Sequence, residues 1–171
     1  GVDSVYLRMR ARNRCMHRDY QNIGVNGARS GAMKDKIMRT LARRGDTDHP
    51  LLLTYALIGN DVCNGHVGTS HMTKPAQFLQ NVLDAMRYLD TVLPRGSHVT
   101  FLGLVDGRIL YNTMGERVYP LGSLHGNLRY RDVYDFLICL GISPCWGWLN
   151  SNATARNETS ARAALLNTMY P

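Results

Sequence analysis

The sequence predicts an α/β fold with a parallel sheet, and three observations carry that prediction. Two apolar runs, residues 51–58 and 98–105, end in Gly, Asn or Asp. An amphipathic stretch of helical period lies between them. Short Gly- or Pro-containing turns mark the junctions, as in chains that alternate strand and helix.

Residues 4–10 read as a strand with Arg8, Arg10, Arg12 and Arg14 alternating on one exposed face. Residues 20–26 read as the first core strand, ending at Asn26-Gly27. Ser30 then caps a helix to about Arg44, with Met33, Ile37, Met38 and Leu41 on one stripe and Gly45 as its stop. Asp46 to Pro50 form a turn. Residues 51–58 are apolar nearly throughout, as a strand covered on both faces requires. A loop rich in Gly and His leads to a helix over about 73–93, with Pro75 in its first turn and the stripe Phe78, Val82, Met86, Leu89 and Leu93. Residues 98–105 form a third strand, closed by Asp106-Gly107. Residues 107–130 are irregular but apolar, and read as a cap on the core, with the wall of an acyl-chain pocket as the alternative. A short helix is expected at 131–140 and a final one from Thr159 or Ser160.

Topology then places Asn26-Gly27, Gly59-Asn60-Asp61 and Asp106-Gly107 along one rim, the carboxyl ends of the strands, where open α/β sheets bind ligands. A backbone N–H at Gly27 and the side-chain amide of Asn60 would form an oxyanion hole, a set of fixed donors aimed at charge that develops in acyl transfer.

The chain has 171 residues, a formal net charge of +7 and a sequence pI near 9.5. No apolar run is long enough to cross a bilayer. The basic charge suits an anionic partner or a solvated face, and no nucleic-acid-binding motif accompanies it. The four cysteines, Cys15, Cys63, Cys139 and Cys145, include no CxxC pair, so no zinc site is expected. Cys139 and Cys145 are near enough for a local bridge, leaving Cys15 with Cys63 or either with another segment. Sequons at Asn152 and Asn157, beside an even cysteine count, favour a secretory or lysosomal/vesicular route. Gly1 opens directly into a strand-like stretch and Pro171 follows a helix-like one, so residues 1–171 read as a single domain that is partial at both ends.

The segments Asn26-Gly27 and Gly59-Asn60-Asp61, each after an apolar run, resemble the second and third signature blocks of the SGNH, or GDSL-type, esterase superfamily. Longer strings are similar to its acyloxyacyl hydrolase family, among them Cys15-Met16-His17-Arg18-Asp19-Tyr20-Gln21-Asn22-Ile23, Tyr55-Ala56-Leu57-Ile58-Gly59-Asn60-Asp61-Val62-Cys63 and Ser143-Pro144-Cys145-Trp146-Gly147-Trp148. The resemblance implies a flavodoxin-like α/β/α sandwich and release of secondary ester-linked fatty acyl chains from the lipid A of lipopolysaccharide. It implies that Gly27 and Asn60 bind the oxyanion, that Gly59 allows close backbone approach and that Asp61 braces the loop. It further implies contact with a membrane or micelle surface, and a saposin-like small subunit from the same precursor. No cofactor or metal is implied for these residues.

The family's nucleophile lies in a Gly-Asp-Ser block upstream and its His in an Asp-x-x-His block downstream. Gly1-Val2-Asp3-Ser4 imitates the first block with one residue inserted and leads into a strand, so Ser4 is not assigned as nucleophile. His17 and His98 flank strands and read as structural, while His66 and His71 sit in the loop after Asn60 without an acid at the right spacing. His125 is not assigned as a base, and Asp106 is read as holding a turn beside the cleft. The chain is therefore expected to supply oxyanion donors while being inactive alone. The rival readings are an SGNH-fold glycolipid- or glycan-binding module without a triad, and an esterase for phospholipid or acetylated sugar.

Overall fold

A computed structural model describes residues 3–17, 19–43, 48–124 and 126–171. Arg18, Arg44, Gly45, Asp46 and His125, along with the expected helix stop and the start of the turn after it, lie outside the described residues.

The centre of the molecule is a β-α-β unit. Strand β1 (Leu52–Tyr55) pairs in parallel with β2 (His98–Phe101), with Leu52 opposite His98 and Tyr55 opposite Phe101. Helix α3 (Pro75–Val92) makes the connection, with Pro75 supplying a pre-set φ at its first turn. Phe78, Val82, Ala85 and Leu89 are its buried stripe. They pack with Tyr55 and with Tyr170, whose ring lies 5.5 Å from that of Phe78 and 4.9 Å from that of Phe101. One face of the strand pair is thereby buried. The other, carrying Leu52, Thr54, His98 and Thr100, is exposed, so the expected cover on both faces is not present among the described residues.

The expected first core strand does not form. The Asn22 side chain accepts from the Gly24 N–H, and Val25 accepts from Ala28, so local turns satisfy the backbone in place of a ladder. The Gln21 carboxamide makes two hydrogen bonds with the backbone of Ala42, a side-chain substitute for strand pairing. The following helix is present as three short turns: a 3-10 turn at Ser30–Ala32, a π turn at Met33–Ile37 and a 3-10 turn at Met38–Thr40. The π turn bonds Met38 back to Met33 and so brings Met33, Ile37 and Met38 together into the core.

Residues 4–10 are not a strand either. Ser4 caps α1 (Val5–Arg12) by accepting from the Leu7 N–H, and Asp3 pairs with Arg8. Arg8, Arg10 and Arg12 thus lie around a helix that buries nothing, and Arg14 begins the 3-10 turn after it. After β1 comes α2 (Gly59–Val62), and after β2 comes α4 (Arg108–Met114), inside a segment expected to be irregular. Tyr111 packs against the core as the cap reading expects. Tyr111 lies near Tyr134, and Tyr119 near Tyr130. Ile109, Leu121 and Leu124 stay exposed.

Helix α5 (Tyr130–Cys139) falls where a short helix is expected. Helix α6 (Ala153–Asn167) begins earlier than expected because Asn152, read only as a sequon, is also its N-cap and accepts from the Thr154 N–H. No helix is long and apolar enough to cross a membrane among the described residues.

The disulfide joins Cys63 to Cys145, while Cys15 and Cys139 are free and exposed. The expected local bridge is thereby corrected. At the end of α5, the N–H groups of Gly141 and Ile142 turn back onto Ile138 and Leu137, leaving Cys139 outside while Cys145 is carried into the core. Trp146 N–H donates to the Asn64 carbonyl at 2.7 Å, which sets the two bridged segments side by side.

Candidate active site

The sequence after β1 leaves the sheet at Tyr55 and turns at Ile58 into α2, which places Asn60 and Asp61 just beyond the strand end. Asn60 reaches back across the rim, and its Nδ2 donates to the Ala28 carbonyl at 2.9 Å. The carboxamide is thus held one residue from Gly27, with a second N–H left over for another acceptor. Gly27 adopts φ +75°, the left-handed region that a glycine enters without strain. It is exposed, and its N–H has no acceptor among the described residues. Space is also open at Gly59, where an added Cβ would meet nothing within 4 Å.

Asp61 stands behind these donors and is fully buried. One carboxylate oxygen accepts from the Ser30 N–H at 2.9 Å. The other accepts from the hydroxyls of Ser30 and Thr73, each at 2.6 Å. Asn81 of α3 donates to the Ser30 oxygen at 2.9 Å, and Thr73 N–H donates to the Asp61 carbonyl at 2.8 Å. The residue-27 turn, α2 and α3 are therefore locked through one carboxylate. Its charge also reaches the core: burial, and then Asp61, push the Tyr170 hydroxyl up to about 12. Tyr55 moves in the same direction, chiefly through burial.

Ser30, Thr73 and Asn81 were not assigned to the site from the sequence. Only Ser30 carried a signal, and it was read as a helix cap. Thr73 and Asn81 are common helix-flanking and helix-surface types whose role depends on Asp61 being buried beside them.

Asp106 belongs to a different cluster. Its carboxylate accepts from the Arg108 N–H and guanidinium and from the Ser160 hydroxyl, the last at 2.6 Å. Arg108, and then Ser160, hold its carboxyl well below the usual carboxylate range. Ser160 also accepts from the Trp148 indole at 2.9 Å. Asp106 thus holds a turn and fastens α6. Two open grooves of about 450 and 640 Å³ run beside it, sharing Val105, Asp106, Arg108 and Asn157 in their walls.

The sequons fall near this cluster. Asn152 is exposed, while Asn157 accepts from Arg108 at 2.9 Å and Thr159 is buried against the Ala155 carbonyl. Ser4 opens a helix, not the expected strand, and its oxygen is occupied by the Leu7 N–H. The rings of His66 and His71 lie 4.6 Å apart, and the Arg29 guanidinium donates to the His71 carbonyl at 3.1 Å. His98 is exposed at the start of β2. Among the described residues no three His, Cys, Asp or Glu side chains are grouped to hold a metal ion.

This chain is 48% identical over 166 residues to an acyloxyacyl hydrolase of Oryctolagus cuniculus, covering 96% of this chain and 29% of that protein. It is 46% identical over 164 residues to the acyloxyacyl hydrolases of Homo sapiens and Mus musculus, covering 95% of this chain and 28% of each. It thus spans less than a third of the length of these relatives. The family model of the GDSL-like Lipase/Acylhydrolase matches residues 4–163, nearly the whole sequence. A β-α-β unit with Asn60, in the short helix after its first strand, bonded to the Ala28 carbonyl beside a left-handed Gly27 fits that match, and the chain belongs to the GDSL-like lipase/acylhydrolase family.

Proposed function

We propose that this chain is part of a lipid ester hydrolase and that it contributes the oxyanion donors of the active site. The single observation that carries the reading is the Asn60 carboxamide held at the Ala28 carbonyl, one residue from Gly27, whose N–H has no acceptor among the described residues. Two N–H groups fixed beforehand stabilise the charge of a tetrahedral intermediate without reorganising when it forms. A Ser nucleophile, its proton taken by a His, attacks the ester carbonyl. The C–O bond to the lipid hydroxyl breaks, and that alcohol leaves with the proton from the His. Water, deprotonated by the same His, then cleaves the acyl-enzyme to free the fatty acid and the Ser. The nucleophile and its His are assigned to blocks outside residues 1–171, and Ser4 and the histidines of this chain are given no catalytic role.

The substrate class we propose is an acylated lipid, in the first instance a secondary ester-linked acyl chain on lipopolysaccharide lipid A. The support is the similarity to relatives that are acyloxyacyl hydrolases, and the basic charge of the chain. The enzyme works at a membrane or micelle surface in a secreted or lysosomal setting, a reading supported by the disulfide. Glycans on Asn152 and Asn157, and a saposin-like subunit of the same precursor, belong to the same proposal.

Replacing Asn60 by Ala in the full-length enzyme should lower kcat by roughly 10²–10³, the usual loss for one oxyanion donor. Turnover of lipopolysaccharide followed by released fatty acid measures this directly. Wild-type kcat in that variant would remove the assignment.

A further inference from the structure

The segments that frame the oxyanion donors are unusual in charge. Residues 20–34 contain no Asp or Glu, and residues 62–83 contain none either. The carboxylate between them in the site, Asp61, is buried and turned onto Ser30 and Thr73, and it makes no ion pair among the described residues. Arg29 from the first segment reaches the backbone of the second, where two histidine rings lie together. Arg29, two residues after Gly27, donates to the His71 carbonyl at 3.1 Å, and the rings of His71 and His66 lie 4.6 Å apart. Arg29 is half-buried, both histidines are exposed, and none of the three pairs with a carboxylate among the described residues.

We propose that Arg29, His66 and His71 form an anion subsite that holds the phosphate of an acidic lipid ester beside the oxyanion donors. The guanidinium spends one Nη on the backbone and keeps its remaining donors for a ligand, which suits the spread oxygens of a phosphate. Each imidazole supplies a further ring N–H. The arrangement recognises a phosphate monoester on the lipid, as distinct from a neutral or zwitterionic headgroup. The inference rests on the oxyanion reading, because that reading is what makes this turn the reacting rim.

The test uses the full-length enzyme with phosphatidic acid and with the diacylglycerol of the same acyl chains, both in neutral detergent micelles. The wild type should prefer phosphatidic acid by at least about tenfold in kcat/KM, the worth of one charge-assisted contact. The double variant His66→Gln/His71→Gln should lose roughly tenfold of that ratio. A wild type without preference, or a variant that keeps it, overturns the proposal.

A second measurement needs no variant: inorganic phosphate should inhibit wild-type hydrolysis of phosphatidic acid more than that of diacylglycerol. Equal inhibition of the two overturns it as well. Asn60→Ala separates the two readings, since it should slow both substrates alike. If it slows neither, the oxyanion assignment fails while the headgroup preference can still be read.

Discussion

Asp61 is a buried carboxylate that ties the segment at Ser30 to Thr73, just before α3. It is fully buried, accepts from Ser30 N–H, Ser30 Oγ and Thr73 Oγ1, and sits in the turn directly after Asn60. Replacing it by Ala removes the acceptor of two buried donors on Ser30 and one part-buried donor on Thr73, which should cost about 3 kcal/mol of stability. Asn should cost less. Its oxygen can still accept from the Ser30 N–H, and its amide can face hydroxyls that rotate to accept. Urea unfolding of the full-length variants measures both, and an Ala variant no less stable than the Asn variant would contradict the network. The sequence gives Asp61 its address after Asn60, and its bracing role was expected from the resemblance. Thr73 and Asn81 were not legible, because hydroxyl and amide side chains near helix starts are ordinary and only burial of the carboxylate recruits them.

At the scale of elements, the best-read parts are those where period and boundary agree. Helix α3 matches its expectation because Pro75 marks its start and four buried stripe residues recur at helical spacing. Strands β1 and β2 were found, but shorter than their apolar runs, since only Leu52–Tyr55 and His98–Phe101 have a partner to pair with. Residues 20–26 and 4–10 failed for opposite reasons. The first has strand-like composition but an Asn turn that takes up the Gly24 N–H, and the second has alternating arginines but a Ser cap that starts a helix. Helix α6 starts at Ala153, ahead of the expected Thr159 or Ser160, because the sequon residue Asn152 is also its N-cap.

The fastening of α6 gives a pH prediction at the same scale. Arg108 and Ser160 lower the Asp106 carboxyl, so the folded state favours its ionised form. The stability this contributes is fully present above the unfolded value, about 3.9, and is lost as pH falls through the lower folded value. Comparing wild type with Asp106→Asn by urea unfolding between pH 3 and pH 7, the gap should be constant above about pH 5 and shrink below about pH 4. A gap that does not change over that range would show that the charge on Asp106 does not hold the helix. Asp106 is close to half exposed, so the effect is screened by solvent and modest.

Across the whole molecule, the Cys63–Cys145 bridge ties the segment after Asn60 to the turn that carries Trp146, Gly147 and Trp148 into α6. Packing at this junction leaves little slack. A Cβ on Gly107 would collide with the Trp148 ring, and one on Gly147 would collide with Thr159 Oγ1. The two cysteines are 82 residues apart, so the bridge removes much more freedom from the unfolded chain than a link between Cys139 and Cys145 would. Sequence spacing favoured the shorter link because proximity along the chain is the only distance a sequence displays, whereas burial decided the pairing: Cys145 lies in the core and Cys139 on the surface.

Replacing both bridged cysteines by Ser should lower stability by roughly 2–5 kcal/mol, the usual loss for a native bridge. The same exchange at Cys139 should change it by less than about 0.5 kcal/mol, as for other exposed positions. Peptide mapping of the folded full-length protein without reductant should recover Cys63 linked to Cys145, and Cys139 linked to Cys145 in that digest would reverse the assignment. Because the bridged segment begins two residues after Asp61, reduction should also loosen the Asn60 turn. Ester turnover should therefore fall together with the melting temperature, and activity that survives reduction while stability drops would show that the turn holds without the bridge.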